Sequence, residues 1–136
     1  MKVLLDTNIL IDYIAKRNPY YSDARQIILL CTQKKFFGCI AAHSVMNTFY
    51  ILRNDLSVQE RRDSLKDICY LIPVIGIDTK KIISALDNYD FSDVEDCLQV
   101  ECAKEFTADY IVTRNIKYFK KSTIPAILPD DFLKLV

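Results

Sequence analysis

Acidic and amide side chains at three places along the chain could carry chemistry. Asp6 closes the apolar run Val3-Leu4-Leu5 and is followed at once by Thr7 and Asn8. An unbroken apolar run suits a strand buried on both faces of a parallel sheet. A carboxylate at its carboxyl end then faces the crevice where such sheets bind ligands. The same triplet also reads as a helix N-cap, for which Asp, Thr and Asn are all suited. Segment 87–96 holds Asp87, Asp90, Asp93, Glu95 and Asp96 with no basic residue. Like charges this dense repel, and a divalent cation relieves them. Acids also gather at helix N-termini to meet the positive end of the dipole. Asp93 and Asp96 are three apart and share one side of a first helical turn, which meets Asp6 if that helix packs beside the first strand. Asp87 and Asp90 read as solvated. Thr113, Arg114 and Asn115 follow the run Tyr110–Val112, where a hydroxyl and an amide can ligate or hydrogen-bond; Asn also favours turns. Arg114, Lys117, Lys120 and Lys121 form the one clearly basic stretch, suited to a phosphate backbone or to a wet surface.

Other chemistries find little support. His43 is the single histidine and reads as a helix-start or surface residue rather than a general base. Gly38 and Gly76 are the only glycines, so there is no glycine-rich phosphate loop, and no serine or cysteine nucleophile with a His–acid pair is visible. The 136 residues fit a single domain over 1–136. With 51% hydrophobic and 26% charged residues the composition is that of a globular protein, not a disordered one. Lys+Arg and Asp+Glu each total 18, so bulk charge does not hold this chain on nucleic acid or membrane, and any such partner needs a local patch. Five cysteines at 31, 39, 69, 97 and 102, with no C-x-x-C, suggest neither disulfides nor a zinc ribbon. Reduced thiols fit the cytoplasm. The apolar runs Phe36–Ala42 and Cys69–Ile77 are too short to span a bilayer, and Asp6 and Asp12 interrupt any signal peptide.

The elements that must position these groups alternate between strand and helix. Strands are expected at 3–5, 36–40, 73–77 and 110–112, with a weak fifth at 124–128. The first helix carries Leu10, Tyr13 and Ile14, with Asp12 and Lys16 expected to pair outside it. Pro19 opens a helix with the apolar face Tyr20, Ala24, Ile27, Ile28 and Cys31. A helix over 43–53 follows the second strand. Ser57 and Glu60 form a capping box, and Ser92 and Glu95 a second one that starts the next helix before Asp93. Between them, a helix from Asp78-Thr79 carries Ile82, Ile83 and Leu86. The helix after Ser92 is expected to bury Val94, Leu98 and Cys102, and Pro129 opens a last short helix. Tyr20, Tyr21, Phe49 and Tyr50 are assigned mostly to the core. Such alternation predicts an α/β fold, a parallel sheet with helices on both faces.

Val3-Leu4-Leu5-Asp6-Thr7-Asn8, then Asp93-Val94-Glu95-Asp96, then Ala108-Asp109-Tyr110-Ile111-Val112-Thr113-Arg114-Asn115, in this order, resemble a PIN domain. The likeness covers essentially the whole chain and is closest to the small bacterial single-domain proteins similar to VapC toxins. It implies a three-layer sandwich whose central parallel sheet has about five strands. It also implies a Mg²⁺- or Mn²⁺-dependent endoribonuclease that hydrolyses RNA phosphodiesters and, where the likeness extends to the toxins, the toxin of a toxin–antitoxin pair, with an antitoxin over its acidic cleft and a homodimeric state. Asp6 matches the first acid of the family site. Asp96 matches the acid on the later helix, and Asp93 a supporting acid one turn before. Thr113 and Asn115 match the segment after the fourth strand, where many members have Thr-x-Asp. The middle acid, usually a Glu on the helix after strand two, falls within Ser44–Phe49, where this chain has Asn47. On this reading Asp6, Asp96 and Asp93 hold metal, Thr113, Asn115 and Asn47 position water or phosphate, and Thr7, Asn8, Ser44 and Arg114 contact substrate. Amide oxygens can coordinate Mg²⁺ but bring no charge. Two divalent ions need about four compensating negative charges, so one well-held ion and slow or absent cleavage are expected. The alternative is a catalytically degenerate PIN domain that binds RNA or a protein. A small-molecule-binding α/β domain is a more distant third.

Overall fold

The computed structural model describes residues 1–136. The chain runs β1 (Lys2–Leu5), α1 (Thr7–Ile14), α2 (Tyr21–Thr32), β2 (Phe37–Ala41), α3 (Ala42–Ile51), α4 (Val58–Leu71), β3 (Val74–Ile75), α5 (Thr79–Leu86), α6 (Val94–Glu105), β4 (Tyr110–Val112), β5 (Ala126–Ile127) and α7 (Pro129–Leu133). Short 3₁₀ turns lie at Leu52–Asn54 and Ile116–Phe119. The five strands form one parallel sheet in the order β3-β2-β1-β4-β5. The chain builds outward from β1 to β3, then returns to lay β4 on the other side of β1. The strand order therefore reverses between β1 and β4, and a crevice opens at their carboxyl ends. Asp6 sits there, with its amide donating to the Val112 carbonyl at 3.0 Å.

Alternation along the strands divides the core. Val3, Leu5, Ile40 and Val112 pack with α1, α2, α4 and α7 through Leu10, Ile27, Ile68 and Phe132. Leu4, Cys39, Ala41 and Ile111 face the other way, onto Val100, Cys102 and Ala103 of α6. Both faces of β1 are thus covered, which is why Val3, Leu4 and Leu5 form an unbroken apolar run. The sandwich is three-layered, as the sequence predicts.

Several local expectations are corrected. The Ser57 capping box is present, with Ser57 and Glu60 exchanging two 3.1 Å hydrogen bonds. The second is absent: Asp93 caps α6 by accepting from the Glu95 amide at 2.8 Å, so the helix starts one residue later than predicted. Asp12 does not pair with Lys16 in solvent; it is buried and its partner is Arg114. On α5, Ile82, Ile83 and Leu86 are exposed and Ala85 is the buried contact, because this helix lies along α6 rather than on the sheet. On α6, Val94 is exposed while Gln99 is buried. Tyr20 and Tyr50 are exposed rather than in the core. The strand predicted at 73–77 pairs only over Val74–Ile75. No helix is long and apolar enough to cross a membrane, and all five cysteines are free thiols.

Candidate functional site

Asp6 serves both roles open to it. As N-cap of α1 it accepts from the Thr7 amide at 2.8 Å, and it also lines a polar cleft at the carboxyl edge of the sheet. Its burial would be costly without partners, and four donors surround it. Oδ1 accepts from the Thr7 amide and, at 2.9 Å, from Gln99 Nε2. Oδ2 accepts from the Thr113 hydroxyl at 2.7 Å and Asn8 Nδ2 at 3.1 Å. Burial still outweighs them and raises the Asp6 carboxyl above its usual range; the Thr113, Thr7 and Gln99 hydrogen bonds and the His43 ring pull it back.

The cleft, about 230 Å³, brings Asp6 together with Asp96, Glu95, His43, Asn47 and Asn115. No lysine or arginine lines it. Asp96 projects from the first turn of α6, and its carboxyl is pushed up to about 7, first by burial and then by the charges of Asp93, Asp6 and Glu95. Two desolvated carboxylates therefore share a small space with no lysine or arginine between them. His43 lies in the first turn of α3, with Nε2 3.1 Å from the Glu95 carbonyl. A carbonyl only accepts, so Nε2 carries the proton and the buried Nδ1 is an unpartnered acceptor. Burial lowers the His43 pKa, against the opposing Glu95, Asp6 and Asp93 charges.

The remaining predicted site residues divide into a scaffold and a rim. Thr7 donates to Ser44 Oγ at 2.8 Å, and Gln99 Nε2 reaches both hydroxyls, at 3.2 and 2.7 Å. Asn8 Nδ2 bridges Asp6 and Thr113, while its Oδ1 accepts from the Arg114 amide at 3.2 Å. Thr113 also accepts from the Asn115 amide at 3.0 Å. Ser44 and Thr113 are fully buried. Thr7, Asn8, Ser44 and Thr113 thus orient Asp6 and have little left for a substrate. Arg114 is likewise committed: its guanidinium grips Asp12 with two bonds, at 2.6 and 3.1 Å, and stacks 4.0 Å from the Tyr20 ring centre. Asp93 is exposed, bonded to its own helix, and lines a neighbouring cleft instead. Asn47 and Asn115 line the shared cleft as expected.

Gln99, 2% exposed, was missed by the sequence reading, although Asp93, Asp96 and Gln99 recur at three-residue spacing on one side of α6. Its Oε1 is buried without a partner. His43 and Glu95 were likewise not placed at the site.

No group of three or more Asp, Glu, His or Cys side chains is arranged to hold a metal ion. Of the three carboxylates lining the cleft, Glu95 is exposed, which leaves Asp6 and Asp96 as the desolvated oxygen donors, with the rim amides Asn47 and Asn115 beside them. This set fits one hard cation that keeps much of its water, since Mg²⁺ is usually bound by one or two carboxylates plus substrate phosphates. It does not fit a pair of ions.

The PIN domain family model matches residues 2–117. No curated protein sequence matches the chain. Among solved structures, the fold is similar to VapBC2 from Rickettsia felis, bound to a DNA fragment from their promoter, at 20% identity and a TM-score of 0.68, covering 94% of this chain and 98% of that one. It is similar to a toxin–antitoxin complex from Klebsiella pneumoniae at 22% identity and a TM-score of 0.66, over 93% and 97% of the two chains. FitAcB from Neisseria gonorrhoeae aligns at 15% identity and a TM-score of 0.64, over 93% and 97%. With a five-stranded parallel sheet whose crevice opens beside Asp6, and a family match over most of its length, the chain belongs to the PIN domain family.

Proposed function

We propose that this protein is a divalent-metal-dependent endoribonuclease and the toxin of a toxin–antitoxin pair, acting in the cytoplasm. PIN domains are generally nucleases, and the Klebsiella pneumoniae neighbour is a toxin–antitoxin complex. The observation that carries the reading is the sharing of one polar cleft, lined by no lysine or arginine, by Asp6 and Asp96, which lie 90 positions apart in the sequence. An antitoxin and a second copy of the chain are the protein partners it implies.

Asp6 and Asp96 would hold Mg²⁺ or Mn²⁺, with the amide oxygens of Asn47 and Asn115 beside them. When bound, the ion supplies Lewis acidity toward a phosphodiester oxygen and acidifies an attacking water. The protein's contribution is geometric. Gln99, Asn8, Thr113 and the Thr7 amide fix the Asp6 carboxylate so that it does not rotate when substrate arrives. Asn47 and Asn115 orient water or phosphate at the rim, with Asp93 as a more distant negative charge. His43 holds α3 to the start of α6 through the Glu95 carbonyl and keeps those two walls in register.

The test is cleavage of single-stranded RNA by purified protein with Mn²⁺, against Asp6→Asn and Asp96→Asn. Loss of cleavage in both variants is expected; equal cleavage by either overturns its assignment. One observation favours a non-catalytic RNA- or protein-binding module instead. Every Asp6 oxygen already accepts two hydrogen bonds, so coordination must displace a donor. Calorimetry with Mn²⁺ separates the two: heat that depends on Asp96 supports the enzyme, and no heat supports the module.

A further inference from the structure

A second cleft, about 120 Å³, adjoins the first and shares Asp96 with it. One bank is the turn after β4, which carries Lys117, Tyr118, Lys120 and Lys121; the other carries Asp90, Phe91 and Asp93. The turn is anchored by Phe119, 3% exposed in the core, so its neighbours are held outward on a fixed base. None of the three lysines takes part in an ion pair, whereas Arg114, just upstream, is neutralised by Asp12. Tyr118 is 49% exposed, with Lys117 Nζ 5.2 Å from its ring centre.

We propose that this cleft is a subsite for single-stranded RNA, binding the phosphate and base next to the bond held at Asp6 and Asp96. The inference rests on the ribonuclease reading and gives the strand a path to the site. Unpaired ammonium groups take phosphates as point charges. The acids on the opposite bank repel phosphate and confine the backbone to the lysine side. Tyr118 offers a ring on which an unstacked base can lie, which favours single strands over duplex. The shared Asp96 makes the two clefts contiguous, so a strand on the lysines leads directly to the carboxylates.

The experiment measures fluorescence anisotropy of a labelled oligoribonucleotide of about eight nucleotides, in EDTA so that no hydrolysis occurs, across a salt series. Lys120→Ala/Lys121→Ala is expected to weaken binding at least tenfold at low salt and to reduce the salt slope by about 1.4, at roughly 0.7 per phosphate contact on a single strand. Tyr118→Ala is expected to lose roughly tenfold while Tyr118→Phe binds as wild type. Lys35→Ala/Lys66→Ala, which removes the same charge elsewhere, is expected to bind as wild type. The subsite is overturned if the Lys120/Lys121 variant binds normally, or if the control pair weakens binding equally, which would mark a bulk charge effect. RNA cleavage by the wild type keeps the two ideas apart. Cleavage with normal binding by the variants sinks the subsite alone. Variant-sensitive binding without cleavage supports the subsite and sinks the hydrolase.

Discussion

Replacing Arg114 by alanine should be among the most damaging single changes in the molecule, although a quarter of its side chain is exposed. The reason lies in its partner. The Asp12 side chain is 1% exposed and is held by Arg114 Nε at 2.6 Å, with a second bond from the other arm of the guanidinium. A surface ion pair is worth at most about 1 kcal/mol. Deleting one member of a buried pair leaves the other uncompensated and costs about 3–5 kcal/mol. The Arg114 stack on Tyr20 would be lost as well. At this chain length such a loss lowers the melting temperature by roughly 10–20 °C. The converse change, Asp12→Asn, should cost only about 1–2 kcal/mol, because Arg114, with a side chain 25% exposed, can reach water and keep Tyr20. In Asp12→Asn/Arg114→Ala no charge remains buried, so the double variant should be more stable than Arg114→Ala alone. Urea denaturation at pH 7 with an unchanged m-value measures all three. If Arg114→Ala costs less than about 1 kcal/mol, or if the double variant is the least stable, the buried-charge argument is wrong.

Other changes test the remaining interactions. Gln99→Glu places a carboxylate where the Gln99 amide donates to Asp6; it should lower stability by about 2–4 kcal/mol without metal, and a thermal scan should show Mn²⁺ restoring more of the loss than it adds to wild type. Asp96 binds a proton in the folded protein up to about 7 but in the unfolded chain only to its usual value of 3.8, so the fold is progressively destabilised as pH rises through that window. Asp96→Asn removes the penalty and should raise stability at pH 8 by about 1–2 kcal/mol after discounting for solvent screening, with little effect at pH 4; a stability difference that is flat with pH would contradict this. Gly38→Ala puts a methyl 2.8 Å from Cys31 Sγ, at a cost of about 1–3 kcal/mol that Cys31→Ala should largely recover in the double variant.

The sheet and the position of Asp6 were legible because they follow from rules acting on neighbouring residues. Val3-Leu4-Leu5 is apolar on both faces, so β1 had to be central, and the next residue had to emerge at the crevice. Asp96 was legible only through the family pattern; as an isolated acid it reads more readily as a response to the helix dipole. The misses share a physical cause, which is that local pairing rules do not know what else packs nearby. Asp12 has Lys16 one turn away, yet Arg114, 102 residues distant, offers a planar two-pronged partner inside the fold. Apolar spacing on α5 identified a coherent face but not whether the sheet would cover it, and α6 lies between. Gln99 was invisible because glutamine is usually a surface residue; its burial makes sense only once Asp6, Thr7 and Ser44 converge on it.

If Asn47 and Asn115 stand where the family resemblance implies acids, the hydrogen bonds around Asp6 account for how the cleft tolerates the exchange. Neutral donors orient a buried carboxylate but do not cancel its charge, and the Asp6 carboxyl stays raised despite four of them. Exchanging acids for amides at the rim reduces repulsion within the cleft, which favours the folded state, and removes the charge that would hold a second cation. A phosphodiester supplies negative charge only when RNA is bound. On the proposed function, cation and RNA should therefore strengthen each other's binding, with lysines on the adjoining bank bringing the phosphate into place. The basic turn and the amide substitutions then belong to one arrangement, in which part of the cation's charge balance arrives with the substrate.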